Sequence, residues 1–119
     1  MRAIANVLVG LVAVVHIYFL ILEMFLWKTP RGRKVFGTDQ DFADRAAALA
    51  ANQGLYNGIL AAGLIWSLFA AEAVAHPVQV FFLISVIVAG VYGAATVTRR
   101  ILLFQALPAA VAMVFVILA

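Results

Sequence analysis

Apolar residues in this chain fall into four long blocks that are separated by short polar segments. The blocks cover residues 3–27, 46–71, 78–98 and 101–118, and their length is typical of helices rather than of β-strands. A helix rises about 1.5 Å per residue, so roughly 20 residues cross the hydrocarbon core of a bilayer. The pattern predicts an all-α membrane protein whose four transmembrane helices form an antiparallel bundle, a single domain over residues 1–119.

The segments between the blocks predict where the helices begin and end. Residues 28–45 form the longest polar segment, and proline and glycine residues within it favour a loop. Thr38 precedes an acidic residue by three positions, which fits a capping box at the start of the second helix. We expect a tight turn at residues 72–77 and a kink in the fourth helix at Pro108.

The composition favours insertion into a membrane. Hydrophobic residues make up 67% of the 119 residues, whereas soluble domains contain about 45–50%. The chain has no cysteine, which excludes disulfides and thiolate metal sites. The net charge of +3 does not indicate nucleic acid as a partner, because the positive residues lie mostly in two short loops. The expected partner is the lipid bilayer.

Lysine and arginine residues predict the orientation of the helices. All of them except Arg2 lie in or beside the 28–45 segment or at positions 99–100, which share one side of the predicted bundle. The positive-inside rule places that side, with loop 28–45, in the cytoplasm and both termini on the opposite side. The first block is too long for the apolar part of a signal peptide, so we expect a retained helix.

The first predicted span contains two ionisable residues, His16 and Glu23, on one helix face. A charged residue at the centre of a bilayer costs about 2.5–3.5 kcal/mol on insertion scales, so such residues usually face the protein interior and are often functional. Helix rise places Glu23 level with Asn52 and His16 level with Tyr56 or Asn57 on the second span. We predict one site for ligand binding or proton exchange, formed by His16, Glu23, Asn52, Gln53, Tyr56 and Asn57.

Three further residues form a second group of candidates: Trp27, Tyr92 and Gln105. Helix rise places Tyr92 and Gln105 at about the same depth in the predicted bundle as Glu23. Trp27 also fits an interfacial aromatic belt. Amide and phenol groups often hydrogen-bond membrane helices to one another, so a purely structural role stays open for these residues and for those of the second span. His16 and Glu23 lie about 10 Å apart along the helix axis, and we expect no metal and no cofactor.

Three segments carry a resemblance to a known family: HIYFLILEMFLW at 16–27, TPRGRKVFG shortly after it, and NQGLYNGILAAGL at 52–64. They resemble the small bacterial membrane proteins grouped as domain of unknown function 1304, and the similarity covers nearly the whole chain. The resemblance implies a four-span, multi-pass protein of the bacterial inner (plasma) membrane. In that membrane, the orientation expected from the positive-inside rule makes both termini periplasmic. It implies no activity, so no catalytic residue is assigned.

Three functions are consistent with these patterns. The favoured one is binding or transport of a small polar or amphipathic molecule, with Glu23 and His16 exchanging protons. Four short helices make a thin wall, so a transport path would need a homo-oligomer packed through small residues such as Gly54 and Gly58. The alternatives are a membrane-embedded acid–base enzyme, for example an isomerase acting on a lipidic substrate, and an accessory subunit of a larger membrane complex.

Overall fold

The computed structural model describes all 119 residues and contains helices but no β-strand. Its helices are α1 (Arg2–Met24), α2 (Pro30–Phe36), α3 (Gln40–Phe69), α4 (Glu72–Thr96) and α5 (Leu107–Leu118). A π-helical turn, Leu102–Ala106, directly precedes α5. The all-helical fold predicted from the sequence is confirmed.

The chain divides into two compact units. Unit 1 consists of Met1–Val15 and Leu60–Ala119, and unit 2 consists of His16–Ile59. Helices α1 and α3 each contribute residues to both units, whereas α2 belongs to unit 2 and α4 and α5 belong to unit 1.

The core of unit 1 is built from small and branched aliphatic side chains of α1, α3, α4 and α5. They recur three or four positions apart along each helix, which aligns them on one face. The buried residues are Ala5, Val9, Val12, Ala13, Ala61, Leu64, Leu83, Val86, Ala109, Ala112 and Val116. The outward faces are apolar as well, since Phe69, Phe81, Val88 and Ile117 are all exposed. Apolar surface of this extent is unusual for a protein surrounded by water.

Two of the helices, α1 and α4, are long and apolar enough to cross a membrane. The apolar helical segment Leu102–Leu118 is shorter. Helix α3 has the length, but Asn52, Gln53 and Asn57 lower the mean hydropathy of its most apolar part. The structure thus supports two of the four predicted spans by length and composition.

Helix α2 lies inside the segment that was predicted to be a loop. Its start carries recognised signals, because Pro30 is the first residue and the Thr29 side chain accepts a hydrogen bond from the Gly32 N–H at 3.3 Å. Gly37 ends the helix with a left-handed backbone, φ +67°. Seven residues are too few for an apolar period to be recognised in the sequence, so these caps were the only available signals.

The first turn of α3 is capped by a different residue from the one predicted. The Asp39 side chain accepts a hydrogen bond from the Phe42 N–H at 2.8 Å, and helix α3 begins directly after Asp39. The hydroxyl oxygen of Thr38 is buried and has no hydrogen-bond partner. The capping box predicted at Thr38 is therefore wrong, and the cap is Asp39, one residue later.

Proline residues change the expected boundaries in unit 1. Helix α4 begins at Glu72, so residues 72–77 are helical rather than a turn, and Pro77 lies inside the second turn of the helix. Pro108 cannot donate a backbone hydrogen bond. Directly before it, the Leu107 N–H donates a hydrogen bond to the Leu102 carbonyl, five residues back in the sequence. The irregularity expected at Pro108 therefore takes the form of a π-helical turn.

Candidate functional site

Glu23 lies in the last turn of α1 and is half-buried. Asn57 of α3 donates a hydrogen bond from Nδ2 to Glu23 Oε1 at 2.5 Å, and Asn57 is only 6% exposed. The carboxyl group therefore faces another helix of unit 2, as predicted for an ionisable residue of the first span. Its partner is Asn57, whereas helix rise alone had placed Asn52 opposite it.

Two glycines of α3 explain why Asn57 reaches Glu23. A Cβ atom added at Gly54 would lie 2.7 Å from Met24 Cγ and 3.1 Å from Glu23 Cβ, and one added at Gly58 would lie 2.5 Å from Leu20 Cδ1. Gly54, Asn57 and Gly58 are spaced i, i+3, i+4, so they share the face of α3 that packs on α1 in unit 2.

Two other polar residues of this part of α3, Asn52 and Tyr56, do not contact Glu23. Asn52 is exposed, and Tyr56 is 56% exposed. Helix rise predicts the height of a residue along the axis, but the packed face is selected by the residues that allow close approach, which here are the glycines. The structure therefore does not bring Asn52 and Tyr56 to Glu23.

A groove of about 320 Å³ opens beside Glu23 in unit 2. It is an open groove rather than an enclosed cavity, and its lining combines one carboxyl group, one amide, two aromatic rings and three aliphatic side chains. The lining residues are Glu23, Trp27, Phe42, Ala46, Leu49, Ala50 and Gln53. Its volume lies at the lower end of the range of about 300–1,000 Å³ that is typical of ligand pockets, and its lining is mostly apolar with a few polar groups, as in such pockets.

Trp27 is held in place as one wall of the groove. Its indole N–H donates a hydrogen bond to the Ala43 carbonyl at 2.8 Å, and its ring packs on Phe36 with centroids 5.0 Å apart. These contacts connect the segment after α1 to α2 and α3. Trp27 was a second-group candidate in the sequence, and the structure places it in the same groove as Glu23 and Gln53.

His16 is buried in α1, with 1% of its surface exposed. The His16 and Phe19 rings pack edge to face, with centroids 5.6 Å apart. The residue faces the interior as predicted, but it does not line the groove. Of the two ionisable residues in the first span, only Glu23 is therefore placed to contact a molecule bound there.

The other two second-group candidates belong to unit 1. Tyr92 on α4 is 71% exposed, and Gln105 is half-buried in the π-helical turn.

No three histidine or acidic side chains of the chain lie close enough together to hold a metal ion.

Unit 1 contains a polar network that the sequence analysis did not identify. Arg2 donates to Gln79 Oε1 and to Glu72 Oε1, both at 2.9 Å, and Gln79 donates to Asn6 Oδ1 at 3.2 Å. Gln79 is fully buried. Asn6 and Gln79 interrupt otherwise apolar stretches, which was the available signal for a pair of this kind.

Unit 2 contains a second interaction that was not predicted. Arg31 of α2 donates a hydrogen bond from Nη2 to the Tyr18 hydroxyl oxygen at 2.8 Å, and its guanidinium carbon lies 6.0 Å from the centre of the Tyr18 ring. Both residues are exposed.

Comparison with known proteins places the chain in a family. Residues 10–117 match the family described as "Protein of unknown function (DUF1304)". The chain is also similar to uncharacterized protein YpaA of Lactococcus lactis subsp. lactis (strain IL1403), with 33% identity over 97 residues that cover 80% of this chain and 81% of the relative. No solved structure matches the chain. Since the matched region contains all the residues of the groove and most of the sequence, this protein belongs to the DUF1304 family.

Proposed function

We propose that this protein is an integral membrane protein of four spans whose groove beside Glu23 binds a small polar or amphipathic molecule. The observation that carries the proposal is the position of the Glu23 carboxyl group, which borders an open, mostly apolar groove and is held by Asn57. A carboxyl group in the last turn of an apolar helix is costly to keep there unless it has a partner or a function.

Membrane insertion is supported by the length and apolar character of α1 and α4 and by the apolar outer faces of unit 1. Helix α3 would be the second span, with Asn57 satisfied by Glu23, and Leu102–Leu118 would be the fourth. In this arrangement the 28–45 segment faces the cytoplasm under the positive-inside rule. The groove includes Phe42 from that segment, so it would open towards the cytoplasm.

The groove suits a molecule with both polar and apolar parts. Glu23 and Gln53 supply a carboxyl and an amide group for hydrogen bonds, whereas Trp27 and Phe42 supply aromatic surface. A bound molecule that approaches the Glu23 carboxyl would compete with its proton, which is the basis for coupling binding to proton exchange. The groove is lined only by α1, by α3 and by the segment between α1 and α2. A path that crosses the whole membrane would therefore require further copies of the chain.

Native mass spectrometry of protein purified in mild detergent tests this proposal. The parent protein is expected to retain a small-molecule adduct from the membrane, and Glu23→Gln is expected to lose most of it. Asp44→Asn is a matched control, because Asp44 is an exposed acidic residue outside the groove. An adduct retained equally by the parent and by Glu23→Gln would contradict a role for the carboxyl group in binding.

A further inference from the structure

The Arg31–Tyr18 pair lies on the outer surface of unit 2, at a defined height along α1. Tyr18 precedes Met24, the last residue of α1, by six positions, which corresponds to about 9 Å along the helix axis. Arg31 follows the helix end but extends back to the Tyr18 hydroxyl group, where the hydrogen bond is 2.8 Å long. A positive charge is thus held against the outside of a helix that is long and apolar enough to span a membrane.

Helix α2 holds Arg31 in this place through several fixed contacts. The Thr29 hydroxyl group donates to the Leu26 carbonyl at 2.6 Å and accepts from Gly32 N–H. Gly32 is buried against the segment that follows α1, because an added Cβ would come within 2.8 Å of the Leu26 carbonyl carbon and 3.0 Å of the Trp27 carbonyl oxygen. Arg31 therefore projects from a turn that is packed on the segment between α1 and α2.

The charge of Arg31 has no negative counterpart in the chain. The structure contains two ion pairs, Arg2–Glu72 and Arg45–Asp41, and neither involves Arg31. Residues 24–38 include two lysines and two arginines but no acidic residue. A guanidinium group has five N–H donors, and the hydrogen bond to Tyr18 uses one of them.

We propose that Arg31 and Tyr18 form a binding site for the phosphate of an anionic phospholipid, on the side of the membrane that the 28–45 segment occupies. The planar guanidinium group matches phosphate through two parallel hydrogen bonds, and the Tyr18 hydroxyl group that holds Arg31 lies within reach of the same phosphate. Lys28 and Lys34, on either side of Arg31 in sequence, add positive charge without an acidic neighbour. The site rests on the membrane-insertion part of the proposed function, but it is separate from the groove.

Lipid binding by purified protein tests the site. The protein is kept in a neutral detergent, and its affinity for phosphatidylglycerol, phosphatidylcholine and inorganic phosphate is measured by native mass spectrometry and by shifts in melting temperature. The parent protein is expected to prefer phosphatidylglycerol. Arg31→Gln should weaken that binding by about tenfold, because a charge-assisted hydrogen bond is lost. Tyr18→Phe keeps the ring and the charge of Arg31, so the loss should be smaller.

Arg99→Gln is the matched control, because Arg99 is an exposed arginine of another loop; it should bind phosphatidylglycerol like the parent. Equal binding by the parent and Arg31→Gln would overturn the site, and so would an equal loss in Arg99→Gln, which would indicate attraction by overall charge. Equal stabilisation by inorganic phosphate would overturn the assignment to a lipid.

Melting without added lipid shows whether Arg31→Gln is folded, and Arg31→Lys, which keeps the charge but not the planar donor group, should recover only part of the affinity. Glu23→Gln should keep the preference for phosphatidylglycerol. A groove that binds no ligand would therefore leave the proposal of a lipid site intact. A lipid site that shows no preference for phosphatidylglycerol would likewise leave the proposal for the groove intact.

Discussion

Glu23 borders the groove, and its hydrogen bond to Asn57 determines what a substitution at this position removes. The bond joins a carboxyl oxygen of α1 to the amide of a residue on α3 that is almost completely buried. Loss of the acceptor leaves the Asn57 N–H groups without a partner in a place that water reaches poorly. The role of the carboxyl group in binding can be separated from this structural role, because an amide oxygen also accepts a hydrogen bond.

We predict that Glu23→Gln melts close to the parent protein in detergent, whereas Glu23→Ala is less stable. The alanine variant leaves the buried Asn57 amide unpaired, which costs about 1–3 kcal/mol. Thermal unfolding of both variants, followed by circular dichroism, measures the difference. An alanine variant as stable as the parent would show that the Asn57–Glu23 bond does not contribute to stability.

The sequence predicts part of this site at the level of single residues. The two ionisable residues in an apolar helix, His16 and Glu23, indicate which face of α1 is interior, because burial of such residues needs a reason. The partner on α3 is less predictable. Its height follows from helix rise, but its face depends on where α1 can approach, and Asn57 rather than Asn52 lies on that face.

At the scale of elements, Gly54 and Gly58, the two glycines of α3 that face α1 in unit 2, differ in how tightly they contact it. A Cβ at Gly54 would meet Met24, Glu23 Cβ and the Leu20 backbone oxygen within 3.3 Å, whereas one at Gly58 would meet only the Leu20 side chain. A backbone oxygen cannot move away without displacing its helix, but the end of a leucine side chain can rotate. The close approach of α1 and α3 in unit 2 therefore depends mainly on Gly54.

We predict that Gly54→Ala destabilises the protein more than Gly58→Ala does. Overpacking costs about 1–3 kcal/mol, whereas alanine in place of glycine favours a helix by about 1 kcal/mol. The gain should offset the smaller steric cost at Gly58 but not the cost at Gly54. Melting temperatures of the two variants, measured side by side in one detergent, give the comparison. A Gly58→Ala variant that unfolds at the lower temperature would contradict this order.

Element boundaries show why sequence patterns predict long helices better than short ones. The apolar blocks correspond to α1, α3, α4 and the segment that ends with α5, because each has many turns over which hydrophobicity can be recognised. Helix α2 has seven residues and is identified only by its Thr29 and Gly37 caps. The start of α3 is determined by the hydrogen bond to the Asp39 side chain. The start of α4 lies before Pro77, because a proline is tolerated near the beginning of a helix.

At the scale of the whole molecule, the charge distribution predicts how the chain lies in the membrane. The positive residues other than Arg2 fall in or beside the 28–45 segment and at positions 99–100. Under the proposed four-span topology these regions are cytoplasmic and both termini are periplasmic. The Arg31–Tyr18 lipid site would then face the inner leaflet.

Reporter fusions are expected to confirm this topology. Alkaline phosphatase, which is active only outside the cytoplasm, should be active when fused after Ala119 and inactive when fused after Gly37. A fluorescent reporter that folds in the cytoplasm should give the opposite pattern at the same two positions, which controls for expression. An inactive phosphatase after Ala119 together with a fluorescent fusion there would require an odd number of spans or the opposite orientation.

Labelling of Glu23 by carbodiimides tests most directly whether its carboxyl group lines a groove within the membrane. Membrane vesicles are treated with dicyclohexylcarbodiimide, an apolar reagent that modifies carboxyl groups, or with a water-soluble carbodiimide, and the modified residue is located by mass spectrometry. We predict that the apolar reagent modifies Glu23, that the soluble reagent favours exposed carboxyl groups on the same side of the membrane, such as Asp44, and that the Glu23→Gln variant loses the apolar adduct. The contradicting result is an unmodified Glu23 with the apolar reagent, or a Glu23 that the soluble reagent modifies as readily as Asp44.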